Sequence, residues 1–246
     1  MIKHLIGFGL GSFFILNAAA GAMAEGNSRG EPQALAATTQ PADAQAERAV
    51  HAGIQIRDPH ADRHLIDLTN HYTLALSEDA TGAFGYTLDA LPKGVQQLGN
   101  VQYDLRGIVQ VSSQQFVIGG HNFPEAVKGI TVGLKCQSLH FLHASRWTED
   151  NGKKIGKYVI HYANGDLREV PIVFGADLRD WRPVHDAGAQ ANGLATAWHG
   201  HDNAGNDVVL FSTVWANPLP DVEVASIDMV SAMADAAPFL VAVTAQ

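Results

Sequence analysis

Short apolar runs alternate along this chain with polar punctuation, and hardly any of them repeats with the 3.6-residue period of a helix. The clearest is Val101 to Val111. Its odd positions hold Val, Tyr, Leu, Gly, Val and Val, and its even positions Gln, Asp, Arg, Ile and Gln. That alternation predicts a half-buried strand, dry on one face and wet on the other. Asp104 and Arg106 then share the wet face, either as a surface ion pair of little energetic value or as a shelf for a ligand. His64 to Leu68 reads as a first strand. In Leu139-His140-Phe141-Leu142-His143 both parities carry apolar residues, as in a strand covered on both sides. Ile155 to Ala163 and Leu167 to Phe174 flank Asn164-Gly165. That dipeptide is a strong hairpin signal, and it predicts a type I′ turn with both central residues at positive φ. Leu194 to His201 and Val208 to Trp215 flank a second hairpin over Asp202 to Asp207, and Val222 to Val230 and Phe239 to Thr244 alternate again. About nine to eleven short strands with frequent turn signals predict an all-β, antiparallel β-sandwich.

The N-terminal quarter has another pattern. Lys3 precedes an apolar stretch, Leu5 to Ala20, and Ala22-Met23-Ala24 follows as a small-residue cleavage site. Residues 1–24 are expected to be a secretory signal peptide, with an uncleaved anchor as the competing reading because the stretch approaches spanning length. Residues 25–60 are rich in Ala, Gln, Thr, Pro and Gly and hold no Phe, Trp or Tyr. Such a stretch buries too little apolar surface to offset the entropy of ordering, so a flexible linker is expected, with Ala42 to Val50 as a short helix lacking a packing face. Residues 61–246 are then the sandwich domain. No later stretch is long and apolar enough to span a bilayer, so no membrane insertion is expected after cleavage. The expected location is secreted or periplasmic.

Charge and cysteine usage narrow the partners. The formal net charge is −9, without a basic patch or lysine run, which argues against nucleic acid and anionic membrane surfaces. Cys136 is the single cysteine, so no intramolecular disulfide forms, and its place among strand-like residues predicts a small buried hydrophobe rather than a reactive thiol.

Four tryptophans carry the candidate binding chemistry: Trp147, Trp181, Trp198 and Trp215. A sugar ring stacks its C–H face on an indole while its hydroxyls seek carboxylates, amides, His or Arg. Trp181 has Asp177, Arg179, Asp180 and Arg182 around it, and Trp198 has His199, Asp202 and Asn203. Sandwich tryptophans are as a rule core residues, and Trp215 lies inside an apolar strand. The candidate ligand-binding set is therefore Trp147, Asp177, Asp180, Trp181, Trp198 and His199. His199 and His201 would share one face of a strand, but zinc needs a third and fourth ligand, for which His143 and His185 are the candidates. No acidic loop spells a calcium motif. No nucleophile elbow, phosphate loop, activated-cysteine setting or pair of facing carboxylates can be picked out. No catalytic residue, metal site or cofactor is assigned on this basis.

Several segments together carry a family resemblance. They are Tyr103-Asp104-Leu105-Arg106-Gly107, Val132-Gly133-Leu134-Lys135, Leu139 to Ala144, Gly156 to Gly165, Pro171-Ile172 and Asp180-Trp181. Their order resembles the galactose-binding-domain-like β-sandwich, the jelly-roll family that includes many carbohydrate-binding modules. They look like secreted bacterial modules of that fold, often attached to glycan-degrading enzymes, over roughly His64 to the C-terminus. The resemblance implies a carbohydrate or another cell-surface polymer as partner, and it allows a calcium ion held by loop carbonyls and carboxylates. It transfers no ligand residue. Three functions follow from the same sandwich. The first is an exported non-catalytic binding module. The second is a structural or protein-interaction module of the cell envelope. The third is a glycan hydrolase with a site built from the His199–Asp202 hairpin and the Asp177–Trp181 loop. A groove with exposed indoles favours the first, a closed surface the second, and histidines converging with a third ligand the last.

Overall fold

The computed structural model describes residues 53–82, 85–186 and 194–246. The expected signal peptide, the Ala42–Val50 helix and the linker up to residue 52 lie outside these residues. Strand accounts for 47% of the described residues and helix for 6%, and the sheets are antiparallel in a sandwich-like arrangement, so the fold is all-β.

Twelve strands occur among the described residues: β1 (Leu74–Ala75), β2 (Gly94–Leu98), β3 (Val101–Leu105), β4 (Gly107–Gln110), β5 (Ala126–Leu134), β6 (Ser138–Arg146), β7 (Lys154–Tyr162), β8 (Leu167–Val173), β9 (Thr196–His201), β10 (Asp207–Ala216), β11 (Val224–Ser231) and β12 (Ala237–Ala245). One short helix, α1 (Gln114–Ile118), is capped by Ser113, whose hydroxyl accepts from the Phe116 N–H. The larger sheet runs β1-β4-β12-β6-β10-β9, the smaller β5-β11-β7-β8, and β2 and β3 form a separate ribbon. Pro171 sits in β8, an edge strand, where its missing N–H breaks no ladder. The two sheets meet through aromatic rings. Tyr158 of β7 stacks on Phe141 of β6 with centroids 4.1 Å apart. Its hydroxyl lies 3.0 Å from His143 Nδ1, and His143 Nε2 lies 3.0 Å from Thr213 Oγ1. Burial pushes the His143 pKa down to about 3, so a neutral imidazole bridges the sheets. Cys136 is buried, and that burial raises its thiol pKa.

Several local expectations change. The hairpin at Asn164-Gly165 joins β7 to β8, but only Gly165 takes positive φ, so the turn is not type I′. His64 to Leu68 contributes a single bridge, Leu65 to Thr244, rather than a strand. Phe239 to Thr244 does not alternate. Every residue of β12 is buried, because β12 lies between β4 and β6 and the ribbon crosses it, with Thr244 Oγ1 donating to the Gln102 carbonyl at 2.5 Å.

The largest change concerns Val101 to Val111. The run breaks after Leu105, where β3 leaves to pair with β2 and β4 enters between β1 and β12. Both faces are then covered from Tyr103 onward, and the expected wet face is dry except at Gln102, which stays exposed. Asp104 is 5% exposed and Arg106 1%, so they are neither a surface pair nor a ligand shelf. Arg106 donates to Asp104 at 2.9 Å, to Asp67 at 2.6 Å and to the Thr69 hydroxyl at 2.7 Å. Arg57, inside the stretch expected to be linker, donates to the same Asp104 oxygen at 3.0 Å. The Tyr72 ring lies under the Arg106 guanidinium, 5.4 Å from its carbon, and fits only because residue 107 is glycine. A Cβ there would stand 2.7 Å from the Tyr72 ring. Gly107→Ala is expected to lower stability by about 1–3 kcal/mol in urea unfolding, through overpacking. An unchanged midpoint would show that the ring moves aside freely.

Candidate functional site

A cleft of about 570 Å³ opens where the β6 end meets the loop after β8. That loop is stitched to β6 by backbone bonds. The Ser145 N–H donates to the Arg179 carbonyl at 3.0 Å and the Trp181 N–H to the Ser145 carbonyl at 2.9 Å. On the other side the Val209 N–H donates to the Trp181 carbonyl at 2.7 Å. Arg146 and Trp147 on one segment and Asp180, Trp181 and Arg182 on the other therefore line one wall. Thr81 and Tyr86 come from the β1–β2 connection, Gln115 from α1, and Asp235 from the β11–β12 turn.

Each side chain has a distinct setting. Trp181 is 3% exposed, with Phe239 edge-on at 6.0 Å and the Arg146 guanidinium over its ring at 4.6 Å. Trp147 is half-buried, edge-on to Phe116 at 4.7 Å, and holds φ 62°, where non-glycine residues rarely sit. Such strain persists where surrounding structure imposes it, and it is concentrated at functional sites. Arg146 is 3% exposed; its Nε donates to Gln110 at 3.1 Å, and its Nη2 has no hydrogen-bond partner among the described residues. Burial lowers its pKa to about 10, against the through-space pull of Asp79 and Asp180. Arg182 lies 3.9 Å over the Tyr86 ring, and its buried Nε also lacks a hydrogen bond, with Asp202 Oδ2 at 3.9 Å. Asp180 accepts from the Arg182 N–H at 3.0 Å. Burial is the main cause that pushes its pKa up to about 7, and the nearby Asp186 adds to it, against that hydrogen bond and the two arginines.

Of the six residues singled out from the sequence, Trp147, Asp180 and Trp181 come together here. The other three do not. Asp177 accepts from the Val173 N–H at 2.7 Å and borders a second cleft, of about 340 Å³, beside His143 and Tyr158. Trp198 packs half-buried against the core from β9, and His199 lies exposed on the same strand. His199 and His201 both point their Nε2 at Asp207 Oδ1, at 3.3 and 3.2 Å. Among the described residues no group of three or more His, Cys, Asp or Glu side chains is arranged to hold a metal ion.

Comparison with protein-family models gives no match, and comparison with curated proteins gives none either. Among the described residues no helix is long and apolar enough to cross a membrane.

Arg146, Tyr86, Gln115 and Asp235 were not singled out from the sequence. The one sequence signal for Arg146 was its position beside Trp147 at the end of an apolar run. Tyr86, Gln115 and Asp235 lie far apart in the chain, and only the closure of the sandwich assembles them.

Proposed function

We propose that this is an exported, non-catalytic module that binds carbohydrate through the cleft between β6 and the loop after β8. The observation that carries the reading is the strained, half-exposed Trp147 indole set beside Arg146, Asp180 and Arg182 in a cleft of ligand size. An indole face supports the C–H face of a sugar, and the guanidinium and carboxyl groups meet its hydroxyls. Trp147, rather than the enclosed Trp181, is the stacking platform. Trp181 forms the floor and holds Arg146 in place. The antiparallel sandwich is compatible with the galactose-binding-domain-like modules that the sequence resembles.

A glycan array probed with the purified protein, with and without calcium, tests the reading. Trp147→Ala is expected to weaken binding at least about tenfold, the range of aromatic anchors, while the melting midpoint falls by only a few degrees. An array without any bound glycan would remove the proposal. A Trp147→Ala variant that binds as the parent does would move the site elsewhere.

One observation favours a second reading, a glycan hydrolase. Asp180, with a pKa near 7, suits a general acid, and Asp235 lines the same cleft. Release of reducing ends from a soluble glycan, lost in Asp180→Asn, would establish the enzyme instead.

A further inference from the structure

The ligand class can be taken one step further, on the footing of the carbohydrate reading above. Arg146 is a guanidinium enclosed by protein, flanked by the rings of Trp181 and Phe239, the latter 5.6 Å away. Its only hydrogen bond among the described residues goes to a neutral amide, Gln110. No carboxylate of the described residues lies within 4.0 Å of it, although every other buried arginine has a closer acidic partner: Arg106 has Asp104 and Asp67, and Arg179 has Asp186. A buried cation with an unused N–H is costly, and such a group is retained where something else completes its bonding.

Arg182 repeats the situation on the same wall. Its nearest carboxylate oxygen stands at 3.9 Å, beyond hydrogen-bond length, and Asp202 already accepts from Asn206 and the Ala204 N–H. Two guanidinium groups with open donors thus line one cleft beside an indole. Of the acids that share the cleft, Asp235 is engaged with Gln115 at 3.1 Å, and Asp180 with the backbone of Arg182.

We propose that Arg146 and Arg182 bind the carboxylate of an acidic sugar, so that the module takes a uronate-containing polysaccharide rather than a neutral one. A planar carboxylate matches the guanidinium fork, and the charge-assisted bonds are the stronger kind. The sugar ring lies on Trp147 while its carboxylate faces the two arginines.

Titration calorimetry with uronate oligosaccharides separates the alternatives. The probes are oligomers of galacturonate, mannuronate and glucuronate, their methyl esters, neutral oligomers of the parent sugars, and sulfated galactan. At least one uronate is expected to bind, and its methyl ester to bind about 100-fold more weakly, because esterification removes the charge and leaves the ring intact. Uronate affinity should also fall between 0.05 and 0.5 M salt, on the order of tenfold. Arg146→Met is expected to remove the preference for acid over ester. If that variant fails to fold, Arg182→Met should reduce the same ratio, and the acid-to-ester comparison on the unaltered protein stands alone. Equal binding of acid, ester and neutral oligomers would overturn the acidic assignment and leave the carbohydrate reading in place. Binding of the sulfated glycan alone would overturn the carboxylate in favour of a sulfate ester. No binding to any glycan would overturn both.

Discussion

Arg106→Met should lower the unfolding free energy by about 3–5 kcal/mol in urea denaturation, the range for removing one partner of a buried ion pair. Asp104 keeps only Arg57, whose guanidinium reaches the same oxygen that Arg106 used. Asp67 loses less, since its side chain is half exposed and water replaces the lost bond. The interaction is buried, so 1 M salt should change the loss little, whereas a surface pair would be screened. Asp104→Leu combined with Arg106→Met should recover part of the stability, because the double variant strands no anion. A loss below about 1 kcal/mol in the single variant would mean that water enters the network and that the pair behaves as an exposed one.

The second large effect is pH-dependent. Asp180 has a folded pKa of about 7, while an unfolded aspartate titrates near 3.9. Between those values the folded chain holds a proton that the unfolded chain has released. Stability from this group is therefore full below about pH 4 and is lost as pH rises to about 7, after which it changes no further. Three pKa units correspond to about 4 kcal/mol. The groups that set this value are the burial itself, Asp186, Arg182 and Arg146, with His185 and Asp235 on the same cleft. Asp180→Asn mimics the protonated form and keeps an oxygen for the Arg182 N–H. The variant should match the parent near pH 4 and exceed it by several kcal/mol at pH 8. Other carboxylates titrate in both proteins and cancel in the difference. Parallel stability profiles would show that Asp180 is ionised throughout this range.

The same titration bears on binding. An anionic ligand beside Arg146 and Asp180 favours the protonated carboxyl, so uronate affinity should rise as pH falls from 8 to 6. A neutral sugar would feel much less of this.

Fold class was legible in the chain because burial on a strand has a period of two residues, and that period is local. The Asn164-Gly165 hairpin, the twice-covered β6 and the buried Cys136 all follow from neighbours in sequence. The same reasoning misread Val101 to Val111. Alternation tells which residues differ in polarity, but it cannot tell that Arg106 on the polar face will be met by Asp67, and Asp104 by Arg57, some forty residues away. Once those partners arrive, charged side chains become buried ones, and a half-wet strand becomes two that are dry from Tyr103 onward.

The candidate site divides in the same way. Trp147, Asp180 and Trp181 could be chosen from residue type and proximity to turns, which is information carried within a few residues of each. Whether an indole is a floor or a platform is decided by what lies on its face. Arg146 covers Trp181, and it does so because a backbone bridge sets Ser145 against Asp180. Trp198 and His199 had an equally suggestive setting in sequence, yet β9 lies at the edge of the larger sheet, away from the cleft. The chain alone determined an antiparallel all-β domain, because strand periodicity and turn chemistry are local. The sheet order decided which charges are buried together and which donors are left open, because those depend on contacts between residues far apart in sequence.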